Sequence, residues 1–308
     1  MRGNELLDKM ELIDPAYVEA AEVKPKGKKN IWIKWGAMAA CLGLAVMGVT
    51  FWTQYAPTPS EGTGLTASEN GVTIPKLNVS LSADEAADMI AFFIYQGRCY
   101  VQYEWIYDDT EDIVGEYLGT ATGLINEWTP KDGYVEFAGS AGGDFYAVNG
   151  YDPSFMLCMK EVDDAVTTYI CNNGITLKYG SELYEDRLHL SDSFEAVQYE
   201  SYDSWYSSRD EYYQLDNADD TLLDFIADMD SAQFIPYDAV PLDNGITDIS
   251  KTELYHLYFR MKNGTTVRLR LHENGYIRFD GMWPLCIQVP EESCNALLKL
   301  MDNNSAAP

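Results

Sequence analysis

The chain has 308 residues, 46% of them hydrophobic and 13% aromatic, with a formal net charge of −28. That apolar content supplies a packed core and excludes global disorder. Residues 1–34 hold seven Lys/Arg against six Asp/Glu, which leaves 14 basic and 43 acidic residues beyond them. Such a surplus repels phosphate backbones, so nucleic acid is not expected as a partner of the acidic part.

The first segment, 1–34, reads as short helices. Leu6, Leu7, Met10 and Ile13 recur at helical spacing, with Glu5, Asp8, Lys9 and Glu11 on the other face. Asp14-Pro15 then suits an N-cap with proline in the first turn, opening a second helix through Tyr17, Val18 and Ala21. Helices this short need a partner for their apolar stripe. Two readings stay open: an inert tail, or a docking motif that lays Leu6, Leu7, Met10, Ile13, Tyr17 and Val18 into the groove of a cytoplasmic protein.

From Trp35 to Tyr55 the chain runs twenty-one residues without a charge. At about 1.5 Å per helical residue this spans a hydrocarbon core of roughly 30 Å. Trp32, Trp35, Trp52 and Tyr55 lie near its ends, where amphipathic rings favour the headgroup layer. Lys24, Lys26, Lys28, Lys29 and Lys34 precede it, and no basic residue follows before Lys76. The expectation is therefore a single-pass protein of the cell membrane, with a cytoplasmic N-terminus and an extracytoplasmic C-terminal domain. A signal-peptide reading lacks small residues for cleavage after the apolar run. A lipoprotein reading at Cys41 leaves too short an apolar stretch before that cysteine.

Residues 56–80, rich in Pro, Gly, Ser and Thr, read as a flexible linker. Ser82 and Glu85 suit a capping box that opens a short helix through Met89. Beyond it the fold class is α+β, in two extracytoplasmic lobes. A β-rich lobe is expected over 81–200, with a hairpin at Gln96-Gly97 and turns near Gly150–Pro153 and Asn172–Gly174. An α+β lobe is expected over 201–302, before a tail at 303–308. The Tyr-rich stretch 201–220 reads as a surface loop with one strand, 221–229 and 291–301 as helices, and 276–279 as a strand. In the hairpin Tyr255–Leu271, a three-residue loop Lys262-Asn263-Gly264 opposes Phe259 to Val267 and Leu257 to Leu269. A two-residue turn would oppose those apolar residues to arginines.

One face of this hairpin collects His256, Arg260, Arg268 and Arg270, with His272 at its end and Arg278 on the next strand. Two readings stay open: a face that grips an anionic glycan, phosphate or carboxylate with guanidinium forks, or arginines that pair with the chain's own carboxylates. The cysteines after the apolar run are Cys99, Cys158, Cys171, Cys286 and Cys294. They form no C-x-x-C pair, and either stay as packed thiols or bridge as Cys158–Cys171 or Cys286–Cys294. Acidic clusters at 108–112 and 216–220 lack EF-hand spacing, so no metal site is expected. Gly139-Ser140-Ala141-Gly142-Gly143 reads as a flexible turn. No nucleophile elbow, zincin helix or phosphate loop occurs, so no catalytic residue, cofactor or enzyme activity is expected.

The acidic opening ELLDKMELIDPAYVEAAE, the lysine cluster and WIKWGAMAACLGLAV resemble a group of uncharacterised single-pass proteins of gut-type Firmicutes. The stretches GRCYVQYEW, VGEYLGTATG, FYAVNGYDPSFMLCM and YHLYFRMKNGTTVRLRL carry the likeness through the rest of the chain. That group is similar in layout to membrane-bound anti-sigma factors of extracytoplasmic-function sigma factors. The resemblance implies a regulatory protein whose ectodomain senses and whose cytoplasmic segment docks a sigma factor or other regulator. The zinc motif of some such proteins is missing, since no His precedes His189. The competing expectation is an anchored module that binds an extracellular anionic glycan, peptide or wall polymer.

Overall fold

The computed structural model describes residues 64–77, 91–108, 110–124, 134–161, 164–216, 219–241 and 249–305. All of them fall in one compact unit, Gly64–Pro308. The helices expected over 1–34, the membrane span expected at 35–55 and the capped helix expected at 82–89 fall outside the described residues. Among the described residues no helix is long and apolar enough to cross a membrane.

The unit is α+β and mostly β, as expected. Within the stretch read as a linker, β1 (Thr66–Ser68) and β2 (Gly71–Ile74) form a ribbon, and β2 pairs with β9 (Ile175–Leu177). Val72 and Ile74 alternate inward and are buried, a short period-2 signal hidden among turn residues.

Six strands make a second sheet: β3 (Phe92–Tyr95), β4 (Arg98–Ile106), β5 (Val114–Thr122), β6 (Gly142–Val148), β7 (Met156–Lys160) and β8 (Val166–Ile170). Their order is β3-β4-β8-β7-β6-β5, antiparallel throughout. The β3–β4 turn is the expected Gln96-Gly97 pair, both left-handed at φ 50° and 67°, as a two-residue hairpin turn requires.

This sheet curls into a small barrel. All six strands supply one buried cluster containing Phe93, Tyr100, Ala121, Phe145, Leu157, Met159 and Tyr169. The Phe93 and Phe145 rings meet at 4.8 Å although their strands lie near opposite edges of the sheet. Residues 137–141 close the seam. Ile94 N–H donates to the Ala138 carbonyl, Ala141 N–H to the Phe92 carbonyl, and Thr122 N–H of β5 to the Phe137 carbonyl. The glycine-rich stretch read as a flexible turn is thus part of the wall. Gly139 is required there, because a Cβ would stand 2.2 Å from the Phe92 carbonyl oxygen. With its edges occupied, the barrel offers few unpaired backbone groups to another strand.

Seven strands make the third sheet: β10 (Phe194–Ser201), β11 (Tyr213–Leu215), β12 (Phe234–Pro236), β13 (Glu253–Met261), β14 (Thr266–His272), β15 (Tyr276–Phe279) and β16 (Leu285–Gln288). The order is β11-β10-β13-β14-β15-β16-β12. Its hairpin has the register read from the sequence, with Phe259 opposite Val267 and Leu257 opposite Leu269. Gly264 is left-handed at φ 91°, and Met261 N–H donates to the Thr265 carbonyl at 2.9 Å.

Among the described residues five α-helices complete the unit: α1 (Ser181–Tyr184), α2 (Leu190–Ser193), α3 (Tyr202–Tyr206), α4 (Asp220–Ser231) and α5 (Glu291–Ser305). The short helices α1 and α2 are additions to the β-rich reading of 81–200. In the stretch 201–220 the expected strand is β11, and α3 departs from the expected loop, because five helical residues leave too little periodicity to read. Asp219, from the second acidic cluster, caps α4 by accepting from Thr221 N–H at 2.8 Å. Leu222, Phe225, Ile226 and Met229 of α4, and Leu297 and Met301 of α5, pack on Leu257, Phe259, Leu269 and Leu271. The same cluster takes in Met156, Cys158, Val166 and Ile170 from the outside of the barrel, so the two large sheets share one core. Removal from water of each such side chain contributes about 1.5–3 kcal/mol.

The cysteines described are free thiols, all buried. Neither bridge weighed in the sequence forms. Cys158 faces the shared core whereas Cys171 lines the barrel, on opposite faces of the sheet. Cys286 packs beside Tyr276 and Ile249, whereas Cys294 sits on α5 in the shared core.

Candidate functional site

Because side chains alternate along a strand, the seven-stranded sheet that turns leucines to the core turns its polar residues to the other face. Cross-strand register places Glu200, His256, Arg270 and Arg278 in one row over β10, β13, β14 and β15. Gln198, Tyr258 and Arg268 form the adjacent row.

Of the residues expected as a ligand face, His256, Arg268, Arg270 and Arg278 are brought together here. Arg270 is the hub. Its Nη1 donates to both Glu253 carboxylate oxygens at 3.0 and 3.3 Å, while Nε and Nη2 form a fork on Asp280. Arg278 Nη2 stands 3.8 Å from the same Asp280. The Arg268 guanidinium lies over the Tyr103 ring at 5.5 Å, that of Arg270 over Trp205 at 5.0 Å, and that of Arg278 over Tyr237 at 4.8 Å. Arg260 stands apart, pairing at 3.1 Å with Glu195 where both side chains are about half exposed.

Beside this hub runs a hydrogen-bonded chain of acid, imidazole, phenol and acid. Glu253 contacts His256 Nε2, and His256 Nδ1 lies 3.3 Å from the Tyr258 hydroxyl. That hydroxyl donates to Glu200 Oε1 at 2.5 Å, and Ser204 Oγ donates to Glu200 Oε2 at 3.1 Å. Glu200, His256 and Glu253 are buried.

The electrostatics follow from this packing. Burial alone would raise the Asp280 carboxyl, but the Arg270 and Arg268 guanidiniums more than offset it and hold the pKa at about 2. Glu253 is likewise lowered, by its bond to His256 and by Arg270, against the pull of burial. Glu104, which reaches in from the barrel and accepts from Thr266 N–H at 3.3 Å, is raised by burial despite the nearby Arg268. Burial pushes His272 down to about 4, which keeps it neutral.

Chemically, the forks of Arg270 are taken by Glu253 and Asp280, so an anionic ligand would compete with them for the same donors. Removal of one partner from such a buried ion pair costs about 3–5 kcal/mol. The residues that sequence reasoning missed are the neutralising acids Glu200, Glu253 and Asp280, and the ring Trp205. Glu200 was within reach, because strand alternation across β10 puts it in the row of His256. No local signal marks Asp280, which follows its strand in a short turn.

An aromatic series leads outward from this cluster. Tyr212 meets Tyr258 at 5.7 Å, Tyr258 meets His256 at 6.2 Å, and His256 meets Trp205 at 4.6 Å. Tyr202 then contacts Trp205 at 5.8 Å and stacks on Tyr206 at 5.7 Å. Both ends reach solvent, with Tyr206 72% and Tyr212 48% exposed.

Leu6, Leu7, Met10, Ile13, Tyr17 and Val18, expected as a docking stripe, lie outside the described residues. No group of His, Cys, Asp and Glu suited to a metal occurs among the described residues. The Cys286 thiol points to the Ile235 carbonyl at 3.9 Å, and His272 Nδ1 lies 3.4 Å from the Thr252 hydroxyl, so each of those groups has its own neighbour. Comparison with known proteins adds no relative: no family model, curated protein or solved structure matches the chain.

Proposed function

We propose that the chain is a membrane-anchored regulatory protein, with residues 64–305 as its extracytoplasmic sensor and residues 1–34 as the segment that docks a cytoplasmic regulator. The observation that carries this is the asymmetry about the uncharged run Trp35–Tyr55: five lysines in the eleven residues before it, and an acidic unit without a basic residue until Lys76 after it. The resemblance to anti-sigma layouts makes a sigma factor the first regulator to test. In this reading the barrel and the seven-stranded sheet are the two sensing lobes, and their shared apolar cluster couples them.

The test has two arms. An alkaline phosphatase fused after residue 63 reports which side the acidic unit occupies, and an inactive fusion sinks the topology. A peptide of residues 1–30 is used as bait in bacterial lysate beside one with Leu6, Leu7 and Ile13 changed to Asp. Retention of a sigma factor by the native peptide alone supports docking; equal retention by both peptides makes the tail inert. An anchored binding module is the second reading, favoured by the exposed rings of Tyr206 and Tyr212.

A further inference from the structure

We infer that the surface formed by α3 and residues 207–212 binds a cationic peptide segment. This rests on the sensor reading of residues 64–305 and names what the sensor would take. Tyr202, Trp205, Tyr206 and Tyr212 present aromatic rings at or near the surface, linked ring to ring through Tyr258 and His256. Aromatic faces carry negative quadrupole charge and attract ammonium and guanidinium groups. Around them stand the exposed carboxylates Asp203, Asp210 and Glu211, against Arg209, the single cation of residues 202–212, itself 3.8 Å from Glu211. The two properties select the same ligand: ring faces take up the stems and heads of lysine or arginine, and the carboxylates pair with their charge. The 43 acidic and 14 basic residues beyond position 34 add a field that steers such a ligand inward.

The platform is also rigidly held. Ser204, fully buried at the centre of α3, donates from Oγ to Glu200 and accepts there from Glu211 N–H at 3.0 Å, tying the loop to the helix. Trp205 is backed by Arg270 and His256. Ser208 and Asp210 are both left-handed, at φ 50° and 55°, a conformation that residues with a side chain seldom adopt and that concentrates at binding sites. Tyr213 takes no part: it stacks on Tyr199, whose side chain belongs to the core face.

The experiment uses the full chain in mild detergent and a fluorescein-labelled twelve-residue peptide of alternating lysine and serine, read by anisotropy at two salt concentrations. Binding that weakens with salt is expected. Y206A/Y212A should weaken it tenfold or more, and D203N/D210N/E211Q by a similar factor. Y206F/Y212F, which keeps the rings, should bind as the native chain does. The remote triple change E291Q/E292Q/D302N removes the same three charges from α5 and should alter binding less than twofold. If the remote variant loses as much as the local one, the attraction is that of the whole acidic unit and the site is overturned. Unchanged binding by Y206A/Y212A overturns it too. A glucosamine hexamer that binds and depends on these rings, where the peptide does not bind, replaces the peptide with an amino-sugar polymer. A sigma factor retained by residues 1–30 together with no peptide bound here removes the ligand and leaves the regulatory reading standing.

Discussion

The barrel interior and the polar face of the seven-stranded sheet are two buried regions of one unit, held by opposite means. The barrel is filled by rings and aliphatic groups: Phe93 lies within 5.5 Å of the rings of Tyr100, Phe145 and Tyr169. The polar face is filled by charge, with Arg270 between Glu253 and Asp280 and Arg278 close by. Apolar packing is non-directional, so a substitution there costs in proportion to the volume lost. An ionic cluster is directional and all its members depend on one another, so loss of one acid strands several cations at once.

The contrast sets an order of expected effects. The largest is Asp280→Ala, which leaves Arg270 without half of its contacts and Arg278 without its acid; a loss of about 4 kcal/mol is expected in denaturant unfolding. A loss below 1 kcal/mol would show the cluster to be dispensable. Phe93→Ala comes next at about 3 kcal/mol, and here Phe93→Leu should recover much of it because only volume and shape matter. If leucine rescues nothing, the barrel depends on ring geometry and the contrast fails.

The third test is pH. Asp280, held at about 2 against an unfolded value near 3.8, stabilises above the unfolded value and loses that contribution as pH falls toward 2. Asp230 runs the other way: burial first, then Glu185 and Asp186, raise it to about 6 at the end of α4. Its carboxyl favours the fold below pH 4 and costs stability as pH climbs to 6, so Asp230→Asn should stabilise at pH 7 by about 1 kcal/mol and leave pH 4 unchanged. Equal effects at both pH values would exclude titration as the cause. The smallest effect belongs to Arg260→Ala, whose half-exposed pair with Glu195 should be worth less than about 1 kcal/mol and fade in salt.

These regions were also unequally legible. The hairpin Tyr255–Leu271 could be read to the register, because alternation and a three-residue turn leave one arrangement in which Leu257 meets Leu269. The gathering of His256, Arg268, Arg270 and Arg278 followed from the same alternation. What neutralises them did not, since Glu253 opens β13, Asp280 follows β15, and both reach Arg270 only in three dimensions. The barrel seam was hidden for a similar reason: nothing local joins Gly139 to Phe92, 47 positions earlier. In α3, Tyr202, Trp205 and Tyr206 had the residues of a strand as much as of a helix. Its Ser201 cap, which accepts from Ser204 N–H at 3.2 Å, was the one local sign.

The buried thiols have a consequence for how this fold can be watched. Cys99, Cys158 and Cys286 are each pushed up to about 12 by burial, so the thiolate that reacts with alkylating reagents or peroxide is scarce while the unit stays closed. They stand on one barrel strand, on the barrel wall facing the shared core, and on the far side of the seven-stranded sheet. Each becomes reactive only when its own neighbourhood opens. Modification rates at the three positions would therefore act as three clocks, timing the opening of each part without any added probe.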